Sequence, residues 1–351
     1  MEFTRRRGLQ LGLSASLAAL GLGLTACSTG TAGSGSSAAS TTATDSFPVT
    51  IKHVYGETVI EKEPQRVATV SWVNDDVAIA LGVVPVGMPK NDWGGNAQGS
   101  TPWKDAALEK AGASIGTDKA PVLYSEVDGV NFTEIAKTTP DLILAAYSGL
   151  SAEDYEKLSK IAPVIAFPET AYGTSWQEST TMIGAALGRS QAAKDLISST
   201  EQTIKEQAAK YPQLVDKTFI FGTLDPSAAE SISIFTSGDN RPKFLSSLGM
   251  KLAPVVVEAE KDVQGFYLPW SAEKANELDS QIFVSWVADE KTKDTIVKDP
   301  LLGQVPAVKK GAFVTDSDNT LTLSISASSP LSLPWTLDKF LPLLGAAADK
   351  V

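Results

Sequence analysis

The sequence predicts an α/β protein of two doubly wound lobes joined by one long α-helix, with a ligand cleft between the lobes. Two observations carry this. Short apolar runs such as Leu142-Ile143-Leu144-Ala145 and Ile282-Phe283-Val284-Ser285-Trp286 alternate with segments of helical period, as expected of parallel strands buried on both faces and wrapped by helices. The alternation stops over residues 175–210, where apolar residues recur only at helical spacing, and then resumes. Open sheets take ligands beyond the C-terminal ends of their strands, so the site is expected where the two lobes face each other.

In chain order, residues 49–60 alternate apolar and polar around Gly56-Glu57 and read as a β-hairpin. Strands are expected at 66–70, 83–86, 141–145 and 164–167, with helices at 74–81, 132–138 and 155–160. Gly188 divides the long helical stretch into a helix ending at Leu187 and a second from Ser190 to Lys210, which Pro212 terminates. Further strands are expected at 218–221, 231–235, 255–257, 282–286 and 312–315, and helices at 243–248 and 272–278. A helix over 335–344 closes the chain. The lobes are thus 47–187 and 212–351, with the linker helix in 188–211.

Ahead of the lobes, Arg5, Arg6 and Arg7 precede an apolar stretch that ends in Leu24-Thr25-Ala26-Cys27. A basic start, a short apolar segment and a small-residue cleavage site make a secretory signal over 1–26, too short to span a bilayer. Leu-Thr-Ala-Cys resembles a bacterial lipobox, which makes Cys27, the only cysteine, the expected lipidation site. Thr4-Arg5-Arg6-Arg7-Gly8-Leu9 also fits a twin-arginine export signal, less its usual aromatic, so the export route stays open. Residues 27–46 are mostly Gly, Ser, Thr and Ala, a flexible tether. Removing the leader's net +2 from the formal charge of −11 leaves −13. So acidic a chain is not expected to bind nucleic acid or anionic lipid, and the lipid itself would hold it to the cell membrane.

With these elements placed, the chain resembles the helix-linked substrate-binding lipoproteins of ABC importers for ferric siderophores, haem or cobalamin. The resemblance rests on residues 51–56 with Glu63-Pro64-Gln65-Arg66-Val67, on residues 75–87, and on Pro140-Asp141-Leu142-Ile143-Leu144 and Ile161-Ala162-Pro163-Val164. Ser329-Pro330-Leu331-Ser332 is similar to the iron-siderophore branch. The resemblance implies a rigid hinge, a cleft that takes an iron(III) chelate with no intrinsic cofactor, a permease with its ATPase subunit as partner, and a monomer on the extracytoplasmic face of the membrane. It also implies one surface carboxylate per lobe for docking to the permease. Glu273 matches that position in the second lobe. In the first, Thr133 takes the expected slot and Glu134 follows one residue late.

Aromatics just past predicted strands are the candidate ligand contacts: Trp72, Trp93, Tyr147, Trp176, Tyr267 and Trp286. Such side chains offer large, rigid area with a polar handle to a bulky chelate; the alternative is that they pack the lobes. Trp103, Trp270 and Trp335 read as structural. After the leader only Arg66, Arg189 and Arg241 remain. Arg241 precedes a helix of the second lobe, where the resemblance implies a ligand-facing cation able to donate a forked pair of hydrogen bonds. The alternative there is an ion pair with Asp239 or Asp225. With one candidate arginine, and Lys90 as a possible second charge, a nearly neutral hydroxamate or mixed-type chelate is favoured over a polyanionic catecholate.

Direct transition-metal capture is not expected, because His53 is the only histidine and Cys27 the only thiol. Haem stays open, since a cleft tyrosine could ligate its iron. No Gly-x-Ser-x-Gly and no phosphate-binding Gly-x-x-x-x-Gly-Lys occurs, so the chain is not expected to be an enzyme. A surface lipoprotein with a structural role is the remaining alternative.

Overall fold

The computed structural model describes residues 45–228, 230–263 and 265–351. The leader, Cys27 and nearly all of the tether lie outside the described residues. The chain opens with the hairpin β1 (Val49–His53) and β2 (Gly56–Ile60), paired antiparallel from Val49 opposite Ile60 to His53 opposite Gly56. His53 is buried within it, its Nε2 2.9 Å from Thr58 Oγ1, which in turn donates to the Val164 carbonyl. Its role is structural.

The first lobe follows as β3 (Val67–Thr69), α1 (Asn74–Ala80), β4 (Gly87–Pro89), α2 (Pro102–Lys110), β5 (Val122–Tyr124), α3 (Phe132–Lys137), β6 (Leu142–Leu144), α4 (Ala152–Ser159) and β7 (Val164–Ile165). These strands form one parallel sheet in the order β5-β4-β3-β6-β7. Val67, Ala68, Leu142, Ile143, Leu144 and Ile165 are buried, which is why the sequence shows continuous apolar runs there and not alternation. Between β3 and β6 the strand order reverses, the place where such sheets open a crevice.

Two helices lead out of this lobe: α5 (Trp176–Ala186) and α6 (Ser190–Ala208), with Gly188 between them at φ 68°. Along α6, Ala193 and Leu196 pack into the first lobe's core, whereas Ile197, Ile204 and Ala208 pack into the second's. One helix thus joins both cores.

The second lobe contains β8 (Thr218–Thr223), β9 (Ser231–Phe235), α7 (Asn240–Ser247), β10 (Lys251–Leu252), α8 (Pro254–Ala259), β11 (Tyr267–Ser271), β12 (Ile282–Trp286), α9 (Glu290–Lys298), α10 (Pro306–Lys309), β13 (Phe313–Asp316), α11 (Asn319–Ser326) and α12 (Ser332–Ala348). Its sheet runs β11-β9-β8-β12-β13, with β10 beside the start of β8. β12 is parallel to β8 and β13, whereas β9 and β11 are antiparallel to their neighbours.

The expected strand at 255–257 is instead the helix α8. Pro254 starts it, Val256 alone of its residues is buried, and the sheet pairing falls earlier at Lys251 and Leu252. The strand expected at 83–86 begins later, at Gly87, because Gly82 and Val83 close α1 by donating to the carbonyls of Ile79 and Ala78. Residues 272–277 form a 3-10 segment, not an α-helix. The polar helices α2 and α9 give little sequence signal; α9 buries only Ile296.

The lobes meet through more than α6. Trp176, at the start of α5, is buried in the second lobe's core, and Leu323 and Ala327 of the α11 region pack into the first's. A buried polar cluster also spans the junction. Ser329 donates to Asp76 Oδ2 (2.6 Å), which also accepts from Trp103 Nε1 (2.7 Å). The Lys104 ammonium pairs with Asp75, lies 3.7 Å from Asp76 and donates to Asn91 Oδ1 (2.8 Å). Burial, partly offset by Lys104, raises the Asp76 carboxyl to about 6.

Candidate ligand cleft

The loops after β3 and β6 carry Trp72 and Tyr147 to the crevice, and one buried side chain fixes both. Asn74 Nδ2 donates to the carbonyls of Val70 (2.8 Å), Trp72 (3.0 Å) and Tyr147 (2.9 Å), while its Oδ1 accepts from Tyr147 N (3.1 Å). Ser71 and Val73 hold positive φ (61° and 74°) on either side of Trp72. For β-branched Val73 that conformation is costly, and Asn74 and the packed helix after it sustain it.

Trp93 comes from the loop between β4 and α2. There Gly94 passes so close to α11 that a β-carbon would lie 2.7 Å from the Asn319 carbonyl. Across the cleft, Trp286 ends β12, donates from Nε1 to Asn319 Oδ1 (2.9 Å) and meets Trp93 edge-on with ring centroids 6.4 Å apart. Tyr172, at φ 57°, lies over Gly149, whose missing side chain makes room for the ring. It contacts Trp72, Tyr147 and Phe266 at 5.9 to 6.3 Å between centroids.

These aromatics, with Thr223, Asp239, Arg241, Thr322 and Ser326 among others, line a cavity of 470 Å³ between the lobes. Arg241 lines the cavity with one edge of its guanidinium already taken. Nε donates to Asp239 Oδ1 and Nη2 to Oδ2, both at 2.7 Å, and the guanidinium stacks on Phe235 at 3.3 Å. The alternative of an Asp239 ion pair is the arrangement found. Tyr147 hydroxyl donates toward the Ser326 carbonyl (3.3 Å) across the lobe boundary. Burial first, then the Asp239 charge, holds its phenol well above the usual tyrosine value.

A second cavity of 380 Å³ adjoins the first, sharing Trp72, Trp93 and Tyr172 and adding Lys90, Asp92, Glu126 and Asp154. Glu126 Oε2 accepts from Ser71 N (2.8 Å), and its other oxygen is buried without a hydrogen-bond partner. Burial pushes its carboxyl up to about 7.

Of the seven residues expected at the ligand, Trp72, Trp93, Tyr147, Arg241 and Trp286 line the main cavity. Trp176 does not: it faces the second lobe's core. Tyr267 does not line it either; it is half-exposed on edge strand β11, and its neighbour Phe266 lines the cavity instead. Tyr172 and Phe266 are aromatic lining residues the sequence reading missed, and Asp239, expected there only as a partner for Arg241, also lines the cavity. Trp103 and Trp335 pack with tilted rings, centroids 5.2 Å apart, and Trp270 Nε1 donates to the Lys274 carbonyl. Glu273 is exposed and makes no ion pair among the described residues, whereas Glu134 is paired with Lys137 (2.6 Å). Among the described residues no cluster of three or more His, Cys, Asp and Glu side chains could hold a metal ion.

Residues 67–320 match the periplasmic binding protein family. The chain belongs to that family. It is similar to the iron-uptake ABC transporter substrate-binding protein PiaA of Streptococcus pneumoniae in complex with ferrichrome. That likeness has 35% identity and a TM-score of 0.81 over 86% of this chain and 99% of the other. A probable siderophore-binding lipoprotein of Bacillus subtilis, YfiY, is 25% identical over 283 residues, covering 75% of this chain and 78% of the relative. FepB of Escherichia coli, a ferric enterobactin-binding periplasmic protein, is 28% identical over 278 residues, covering 75% and 82%. This periplasmic binding protein is therefore a substrate-binding component and not an enzyme. The chelates named for these relatives differ, so the cleft's own chemistry must distinguish among them.

Proposed function

We propose that this chain is a lipid-anchored, extracytoplasmic receptor that captures a ferric siderophore of hydroxamate or mixed type and delivers it to an ABC permease and its ATPase subunit. It acts as a monomer held to the membrane through Cys27. One observation carries the choice of ligand: the cavity is walled by aromatic rings and hydroxyls, and its single guanidinium is already neutralised by Asp239. A tris-hydroxamate holds iron(III) with three single negative charges and leaves a neutral complex, which such a wall accommodates. A tris-catecholate complex is trianionic and needs unpaired cations. The likeness to PiaA, described with ferrichrome bound, supports the same class.

Haem is less well matched. Ligation by tyrosine needs a phenolate, and burial raises both Tyr147 and Tyr172 above their ordinary value. Delivery would use Glu273, exposed just after β11, as the second lobe's docking carboxylate. Glu134 fits that role less well because Lys137 already occupies it.

The test is intrinsic fluorescence of the full chain in detergent, titrated with ferrichrome, ferric enterobactin, haem and cobalamin. Trp72, Trp93 and Trp286 line the cavity and should report saturation. Saturable quenching by ferrichrome at sub-micromolar concentration is expected, with the others weaker. Tighter haem or cobalamin binding would replace the siderophore reading, and no response to any ligand would return the structural-lipoprotein alternative.

A further inference from the structure

We propose that Asp239 is the charge selector of this cleft: by holding Arg241 in a neutral pair, it makes the receptor accept neutral or cationic ferric chelates and refuse anionic ones. This rests on the ferric-chelate reading above. Asp239 is buried, at 5% exposure, and is placed by its second task as the residue before α7, where Oδ1 accepts from Arg241 N at 2.8 Å. The same carboxylate therefore caps the helix and takes the Nε and Nη2 edge of the guanidinium. Lys243, one turn on, is a second cation near Asp239, with its ammonium turned to backbone and not to the cavity. Its ammonium is held by the carbonyls of Gly173 (2.9 Å) and Gly238 (2.8 Å), and it does not line either cavity.

The charges lining the two joined cavities agree with this. Against Lys90 and Arg241 stand Asp92, Asp154 and Asp239, with Glu126 partly protonated at neutral pH, so carboxylates still outnumber cations. An anionic chelate entering this space meets no unpaired guanidinium and several carboxylates, and sheds its hydration with Lys90 as the one lining cation outside an ion pair among the described residues. A neutral chelate loses nothing by the pairing.

Asp239→Asn tests the assignment. Asparagine is as good a helix cap, nearly equal in volume, and its amide oxygen can still accept from Arg241 N. It removes the charge and the acceptor opposite Nη2, leaving the guanidinium uncompensated. Affinities of the full chain in detergent are measured for neutral ferrichrome, cationic ferrioxamine B, ferric citrate and trianionic ferric enterobactin; citrate is included because it is small, so size cannot explain its refusal. In the wild type the anionic chelates are expected to bind at least about a hundredfold more weakly than ferrichrome. In Asp239→Asn they should gain roughly tenfold to a hundredfold, the scale of one unscreened charge at short range. The readout is the ratio of each anionic chelate's affinity to that of ferrichrome, which cancels any change in the cavity wall common to all the chelates. The gain should vanish when Arg241→Gln is added and shrink with rising salt. Should Asp239→Asn fail to fold, Asp239→Ser keeps a capping oxygen and serves instead. An unchanged gap between neutral and anionic chelates in a folded variant overturns the proposal, as does equal wild-type affinity for ferric citrate and ferrichrome. If the wild type binds no ferric chelate at all, it is the receptor reading that fails, and the selector with it.

Discussion

Replacing Asn74 should loosen the cleft and the fold together, because four contacts converge on one buried amide. Asn74→Ala removes the acceptor for Tyr147 N and the donor shared among the carbonyls of Val70, Trp72 and Tyr147. An orphaned buried N–H costs about 1–3 kcal/mol, and two lost amide donations about 1 kcal/mol each, so a loss of roughly 3–5 kcal/mol is expected. Val73 at φ 74° would then have lost part of what sustains it. Urea unfolding followed by far-ultraviolet dichroism gives the stability, and fluorescence titration with ferrichrome gives the affinity, which should fall at least about tenfold as Trp72 and Tyr147 lose their fixed positions. Asn74→Asp is the sharper control. It keeps the acceptor but turns lone pairs toward three carbonyls, so at neutral pH it should be worse than alanine and should recover as acid protonates it. A stability within about 0.5 kcal/mol of wild type, the range of an ordinary surface change, would refute this account of the site's scaffold.

Trp176→Ala should cost about 3–5 kcal/mol by emptying part of the second lobe's core, yet leave ferrichrome affinity per folded molecule unchanged; Trp72→Ala, at 42% exposure, should do the reverse. Glu126 is raised from 4.5 to about 7, so the native state holds its proton through that window and stability falls as pH climbs from 4.5 to 7. Glu126→Gln should therefore flatten the decline in melting temperature between those values; Asp76, raised to about 6 with the same sign, leaves a residual slope. Glu273→Ala should leave affinity unchanged in titrations but slow cellular uptake of iron-loaded chelate, and uptake at the normal rate would remove its docking role.

The alternation of strands and helices was legible because the parallel strands are buried on both faces, which writes Leu142-Ile143-Leu144 as an unbroken apolar run. Gly188, at φ 68°, was likewise readable as the break before α6. The aromatic wall was only partly legible. Trp176 and Trp286 both stand near predicted strand ends, and nothing local says that one side chain turns into a core and the other into the cleft. Phe266 and Tyr267 differ by one position at the start of an unrecognised strand, where a shift of one residue exchanges faces. Asp239 was in view as a partner for Arg241, but a fork that engages both carboxylate oxygens is a matter of geometry and not of spacing.

The tie between the lobes has a practical side. α6 is rooted in both cores, Trp176 and Leu323 each reach across, and Ser329 bonds Asp76 in the buried junction. A receptor built this way makes a poor mechanical switch: a dye pair placed on opposite lobes would register almost no change in separation when cargo arrives. The indoles of Trp93 and Trp286, which meet edge-on in the cavity wall with centroids 6.4 Å apart, are the natural reporters. A biosensor for environmental iron chelates made from this scaffold should read quenching of that pair and should not wait for the protein to move.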